Sequence, residues 1–151
     1  GHLAALLGTS ADIPELEGPQ GDNQAPGSST RVHAVVTISA PTDFLQLGHD
    51  RPDSAEALLI GGSLHAKQDL VRMANPITYV HPNPPPFLII HGEEDDVVPI
   101  GQSQLLYQAL QQLGGDVTFV PLPGEGHMLG DIYDTQVEPM IRNFFIKHLK
   151  R

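Results

Sequence analysis

The apolar residues of this chain fall into three short runs with little polar alternation. The runs are Val32–Ser39, Phe87–Ile90 and Val117–Leu122, and β-branched and aromatic residues are frequent in them. Runs of this kind are typical of strands that are buried on both faces, as in parallel sheets. The pattern therefore predicts three buried strands.

Helical patterns precede, separate and follow these strands. His2–Leu7 is rich in helix formers and is followed by Gly8, a residue suited to ending a helix. Residues 54–80 contain short helical patterns, broken by glycine and proline. Thr135 and Glu138 have the spacing of a capping box. Two longer helices are predicted from apolar faces at helical spacing: Leu105, Leu106, Ala109, Leu110 and Leu113, then Val137, Ile141, Phe144, Phe145 and His148.

The alternation of strands and helices predicts an α/β fold. A parallel sheet with right-handed crossovers places helices on both faces, which gives a three-layer α/β/α sandwich. Residues 11–31 are polar and rich in glycine and proline, so we expect a surface loop there. Three strands leave sheet edges unpaired, and we expect an N-terminal half or another chain to cover an edge.

Composition excludes several functional classes. The 151 residues include 18 Asp and Glu against 8 Lys and Arg, a net charge of -10. This charge argues against a nucleic-acid partner, because phosphate binding needs clustered basic residues. The absence of cysteine excludes a thiol nucleophile and cysteine zinc sites. No apolar run approaches the roughly 20 residues of a membrane span, and no metal or cofactor is indicated.

Candidate chemistry lies after the second and third predicted strands, since functional groups gather at the carboxyl ends of parallel strands. An acidic run, Glu93–Asp96, follows one strand, and His127 lies in a glycine-flanked turn after the next. Asp95 and His127 are 32 residues apart, a separation that suits an Asp–His pair across neighbouring strand ends. Such a pair supports general base catalysis. Asp96 is the competing acid, and a solvated acidic loop is the alternative without catalysis.

Four further residues are weaker candidates. His91 could ligate a metal with the nearby acids, or could hydrogen-bond beneath the site. Asp43 and Phe44, after the first predicted strand, could border a substrate pocket or simply cap a loop. Met128, next to the predicted catalytic histidine, could line the same pocket or pack in the core.

A serine nucleophile is not evident within the chain. A Gly-x-Ser-x-Gly elbow would allow the sharp strand-to-helix turn that exposes such a serine. The nearest sequence is Gly61-Gly-Ser-Leu-His65, which has histidine in place of the second glycine and lies in a helical region.

Several motifs resemble those of α/β-hydrolase esterases. The segment His91-Gly-Glu-Glu-Asp-Asp-Val-Val-Pro99 is similar to their His-Gly-x-x-Asp-x-x-Val-Pro motif, and Pro123-Gly-Glu-Gly-His127 to their Pro-Gly-x-Gly-His motif. Pro41–Phe44 and Ala74–Ile77 resemble the acetyl-esterase and feruloyl-esterase-like branch. Gly1–Ala5 resembles the start of the helix that follows that family's nucleophile elbow.

This resemblance implies that residues 1–151 are the C-terminal half of one α/β-hydrolase domain, with 54–80 as a cap-like helical insertion. It makes Asp95 the orienting acid and His127 the general base. The nucleophilic serine would precede Gly1 by three positions, and the oxyanion hole would also lie upstream. The chain alone is then expected to be inactive, whereas the intact protein hydrolyses short-chain or aryl carboxylic esters through an acyl-enzyme. A prolyl-oligopeptidase-like peptidase domain and a non-catalytic relative are the alternatives.

Overall fold

A computed structural model describes residues 1–11, 13–17, 30–48 and 50–150. Within these residues three strands form one parallel sheet, in the order β1-β2-β3. The strands are β1 (Val35–Ile38), β2 (Phe87–Gly92) and β3 (Val117–Leu122). Phe87 pairs with Val35 on one side and with Val117 on the other, so β2 lies between its two neighbours.

The helices surround this sheet in chain order. They are α1 (His2–Thr9), α2 (Pro14–Glu17), α3 (Ala55–Ile60), α4 (Gln68–Ala74), α5 (Gly101–Gln112) and α6 (Glu138–Leu149). Short 3-10 turns lie at Phe44–Gln46 and Pro76–Tyr79, and a π-helical turn at Tyr133–Val137 precedes α6. No helix in the described ranges has both the length and the apolar character that a bilayer crossing requires.

The central strand packs against helices on both faces. Phe87 and Ile89 lie in a core with α1 and α5, which contribute Ala5, Leu106 and Leu110. On the other face, Leu88 and Ile90 of β2 lie in a core with Leu122, Leu129 and Val137, against which α6 packs the partly buried residues Met140, Ile141 and Phe144. This confirms the three-layer α/β/α arrangement.

The strands differ from prediction at their ends. Strand β1 begins at Val35 rather than Val32, because its ladder starts where the Val35 amide bonds the Pro86 carbonyl oxygen, at 2.9 Å. Its end is set by Ser39, whose φ of 48° turns the chain out of the extended conformation. Strand β2 is longer than predicted and continues to Gly92, which pairs with Leu122 of β3.

The predicted helix end at Gly8 is wrong, since α1 continues to Thr9. Gly8 is buried inside the helix, where α1 crosses the sheet. A Cβ at this position would lie 2.5 Å from Val35 Cγ2 and 2.7 Å from Phe87 Cζ. The glycine thus permits a close approach of helix and sheet, and it does not end the helix.

The predicted capping box is also wrong. Thr135 lies within the π-helical turn, and its hydroxyl donates to the Ile132 carbonyl oxygen at 3.4 Å. Helix α6 has no side-chain cap, because the turn leads directly into it and the Glu138 amide bonds the Tyr133 carbonyl oxygen. The preceding turn therefore satisfies an amide that the threonine was expected to cap.

Residues 44–80 form a small core beside the sheet together with Val98 of the loop after β2. The helical patterns predicted in 54–80 are present as α3 and α4, and the loop between β1 and α3 packs on them. The buried residues of this core are Phe44, Leu47, Ile60, Leu64, Val71 and Val98. The short helix α2 lies within the segment 11–31, where a loop is predicted. Residues 12 and 18–29 of this segment lie outside the described residues.

Candidate active site

The acidic loop after β2 is organised around Asp95. Its side chain is fully buried, and Oδ1 accepts hydrogen bonds from the amides of Val97, at 2.9 Å, and Val98, at 2.8 Å. The neighbouring acid Asp96 is exposed to solvent. The turn therefore buries the carboxylate of Asp95 and leaves that of Asp96 in water.

The loop after β3 brings His127 to this carboxylate. His127 Nδ1 lies 2.8 Å from Asp95 Oδ2, and the His127 side chain is 32% exposed. A carboxylate can only accept, so Nδ1 carries the proton and Nε2 is left as the basic nitrogen. The structure thus brings together the two residues that the sequence paired. Their catalytic roles stay a prediction.

Gly92 lets the two loops approach each other. A Cβ at this position would overlap the carbonyl oxygens of Glu125 and Gly126, the two residues before His127. Backbone hydrogen bonds cross the same gap, from the Glu94 amide to the Glu125 carbonyl oxygen, at 2.9 Å, and from Glu93 to Leu122, at 3.0 Å. The Asp–His contact therefore rests on backbone contact between the loops as well as on the side chains.

The environment of Asp95 favours its ionised form. Burial alone would raise the pKa of Asp95, but the hydrogen bonds from the Val98 amide, the His127 ring and the Val97 amide, together with the nearby Ser39 hydroxyl, outweigh it. The pKa of Asp95 therefore lies below its usual value. The Ser39 hydroxyl is close enough to add to this lowering. Ser39 Oγ is nevertheless buried without a hydrogen-bond partner among the described residues, so Ser39 is a neighbour of the carboxylate rather than a donor to it.

His91 lies beneath this pair and has no free ring nitrogen. The ring is completely buried, with Nδ1 2.7 Å from Ser103 Oγ and Nε2 2.8 Å from the Val98 carbonyl oxygen. Both nitrogens are thereby occupied, so the alternative of a metal ligand is wrong for His91. In the described part of the chain no three His, Asp or Glu side chains are grouped as metal ligands.

The three predicted pocket residues have different positions. Asp43 caps the turn at Phe44–Gln46, with Oδ1 accepting from the Leu45 amide and from Asn75 Nδ2. Phe44 is buried and lines a cavity of about 250 Å³ together with Leu45, Gly48, Asp50, Leu64 and His65. Met128 is 83% exposed, which excludes core packing as its role. Contact of any of the three with a substrate stays a prediction.

Sequence reasoning missed two residues of α5 that support the site. Gln102 is buried, and its Oε1 accepts from the amides of Thr42 and Asp43, both at 2.8 Å. Ser103, the neighbour of Gln102, contacts His91. A signal was present in the sequence, because both residues share the helix face of Leu106 and Leu110, where polar side chains are unusual.

Comparison with known proteins identifies the family. The family model described as BD-FAE matches residues 1–110. The chain belongs to the BD-FAE family. Among curated relatives, this BD-FAE chain is 33% identical to Esterase LipC and 30% identical to Esterase LipQ, both from Mycobacterium tuberculosis. The alignments cover 84% and 83% of this chain, but only 32% and 30% of the two esterases.

A solved structure supports the same assignment. The truncated form of a carbohydrate esterase from gut microbiota superposes on 97% of the BD-FAE chain with a TM-score of 0.86 and 31% identity. The chain covers 55% of that esterase, and about a third of each curated relative. The BD-FAE chain therefore has a partial α/β-hydrolase fold.

Proposed function

We propose that the protein containing this chain is a carboxylic ester hydrolase that forms an acyl-enzyme, with His127 as general base and Asp95 as its orienting acid. The observation that carries the proposal is the 2.8 Å contact between His127 Nδ1 and Asp95 Oδ2 at neighbouring carboxyl ends of β3 and β2. The similarity to two esterases and a carbohydrate esterase supports an ester substrate.

The contact gives each residue a defined task. The buried carboxylate keeps the proton on Nδ1, so that Nε2 of His127 is free to take a proton from an attacking hydroxyl. The imidazolium that results is stabilised by Asp95, which stays ionised because its pKa is lowered. The 32% exposure of the His127 side chain leaves room for a reacting group beside it.

The reaction then has two halves, with a serine outside these 151 residues as nucleophile. The serine oxygen attacks the ester carbonyl carbon while His127 Nε2 takes the hydroxyl proton. The carbon–oxygen bond to the alcohol breaks, and the alcohol leaves with the proton from His127. Water, deprotonated by the same nitrogen, attacks the carbonyl carbon of the acyl-serine; the bond from this carbon to the serine oxygen breaks, the serine takes the proton back from His127, and the acid is released. Short-chain or aryl esters are the proposed substrates, and we propose that the chain by itself is inactive because that serine lies outside it.

A further proposal concerns the open edge of the sheet. In the described residues β1 pairs only with β2, so its outer edge is open to another strand. We propose that an N-terminal half, or another chain, covers this edge. The proposal is supported by the curated relatives, which are about three times as long as the aligned segment.

Asp95→Asn and His127→Ala, each in the full-length protein, test the proposed function. Each is expected to lower kcat for p-nitrophenyl acetate by about 10⁴-fold, because loss of the acid or the base disables proton transfer. The matched controls are Asp96→Asn, the same change one residue away, and His33→Ala, at an exposed histidine; both should keep wild-type kcat. Wild-type turnover in Asp95→Asn and His127→Ala would refute the proposal.

A further inference from the structure

One buried histidine is not used by the proposed mechanism. His91 is the residue before Gly92 at the end of β2, and it is completely inaccessible to solvent. Its ring lies between the acidic loop and α5, with Ser103 on one side and the Val98 carbonyl on the other. A buried imidazole with a partner at each nitrogen has a fixed orientation.

The partners also determine which nitrogen carries the proton. The Val98 carbonyl oxygen, 2.8 Å from Nε2, can only accept, so Nε2 must donate to it. In the neutral ring Nδ1 is then the acceptor and receives the Ser103 hydroxyl, at 2.7 Å. The Val98 carbonyl thus selects the tautomer of His91 that has its proton on the side of the acidic loop, and Ser103 occupies the other ring nitrogen.

The same Nε2 faces the Asp95 carboxylate. It lies 3.2 Å from Oδ2, the oxygen that also contacts His127 Nδ1 at 2.8 Å. Oδ2 therefore has an imidazole on either side, while Oδ1 accepts the two loop amides of Val97 and Val98. Contacts on both oxygens oppose rotation of the carboxylate.

We propose that His91 is a positioning residue that fixes Asp95 Oδ2 toward His127, and that Ser103 holds the His91 ring in the orientation this requires. The inference rests on the proposed function, because it assigns a purpose to the orientation of Asp95. His91 touches neither substrate nor nucleophile; it acts only through the carboxylate and through the Val98 carbonyl of the same loop.

His91→Leu in the full-length protein is the first test. It removes the donor to the Val98 carbonyl oxygen and the ring nitrogen that lies 3.2 Å from Oδ2, and is expected to lower kcat for p-nitrophenyl acetate by about 10- to 100-fold, with KM changed less than about twofold. His91→Gln retains a side-chain N–H and should recover part of the loss. Ser103→Ala leaves the fold of α5 in place but removes the partner of Nδ1, so that the Val98 carbonyl alone holds the ring, and a fall in kcat of about 3- to 10-fold is expected.

Thr9→Val is the matched control for Ser103→Ala. The Thr9 hydroxyl is also buried and hydrogen-bonded, but to carbonyl oxygens of its own helix, Ala5 and Leu6. It should keep wild-type kcat. If His91→Leu fails to fold, Ser103→Ala with this control carries the test alone.

A second measurement separates positioning from a merely structural effect. In an Asp95→Asn background, the further effect of His91→Leu on kcat should be less than about twofold, because the group that it positions is already disabled. Equal losses in both backgrounds, or wild-type kcat in both His91→Leu and Ser103→Ala, would overturn the inference while leaving the proposed function intact. Full activity in Asp95→Asn itself would overturn the proposed function, and the positioning role with it.

Discussion

Replacement of Gly92 by alanine tests whether backbone contact between the loops sets the Asp–His geometry. The added Cβ would lie 2.6 Å from the Gly126 carbonyl oxygen, and closer still to that of Glu125. Ordinary contact begins at 3.4 Å, so the loop must move by at least about 0.8 Å at Gly126, the difference between 3.4 and 2.6 Å, and by more at Glu125. The obstacles are backbone atoms, which cannot turn aside as a flexible side chain can.

The displaced segment leads directly to His127. A misplacement of about 1 Å in a catalytic group can lower the rate about 10²-fold, and the overlap itself costs about 1–3 kcal/mol of stability. We therefore expect Gly92→Ala to lower kcat for p-nitrophenyl acetate by about 10- to 100-fold and to lower the free energy of unfolding. The assays are steady-state kinetics and urea unfolding of the full-length protein.

Gly101→Ala is the matched control, because it makes the same change at the first residue of α5, where a Cβ would meet nothing within 4 Å. Its expected effect is a gain of up to about 1 kcal/mol from helix propensity, with kcat unchanged. If Gly92→Ala kept both kcat and stability at the level of Gly101→Ala, the argument that the loops are held by close backbone contact would be refuted.

Two other results are expected. Gln102→Ala removes the acceptor of the Thr42 and Asp43 amides and should lower the free energy of unfolding by about 2–4 kcal/mol in urea melts, whereas Gln104→Ala, on an exposed face of α5, should change it little. Because the pKa of Asp95 is lowered in the folded state, its contribution to stability is complete above the unfolded pKa of about 3.9 and is lost as pH falls through the folded pKa. Urea unfolding between pH 3 and 6 should therefore show a rise in stability with pH that is smaller in Asp95→Asn; equal slopes would contradict the lowered pKa.

The elements of the sheet could be predicted because each is specified by a short run of sequence. Strand β3 has the predicted bounds, Val117–Leu122, and the three strands and the helices around them occur in the predicted order. The predictions fail where a residue type can have either of two structural roles. Gly8 was interpreted as a helix end, but its role is set by Val35 and Phe87, which are distant in sequence.

The candidate site could likewise be predicted only in part. The pairing of Asp95 with His127 could be predicted, because both follow strands whose ends meet at one edge of a parallel sheet. The choice of Asp95 over Asp96 rested on the family motif, and its physical reason is the turn that buries one side chain and exposes the other. Support from Gln102 was missed, because its place on the apolar face of α5 indicates burial but does not reveal that the loop after β1 supplies its hydrogen-bond partners.

The first turn of α5 links two parts of the protein that the chain separates by about fifty residues. Gln102 binds the loop after β1, which includes the wall formed by Phe44, and Ser103 reaches the acidic loop through His91. The two loops therefore rest on adjacent residues of one helix, and a shift of this turn is expected to move both. The core formed by Phe44, Leu64 and Val71 belongs to the same connection, because Val98 packs in it while its amide donates to Asp95, so a change of side-chain volume there is expected to shift the acid as well.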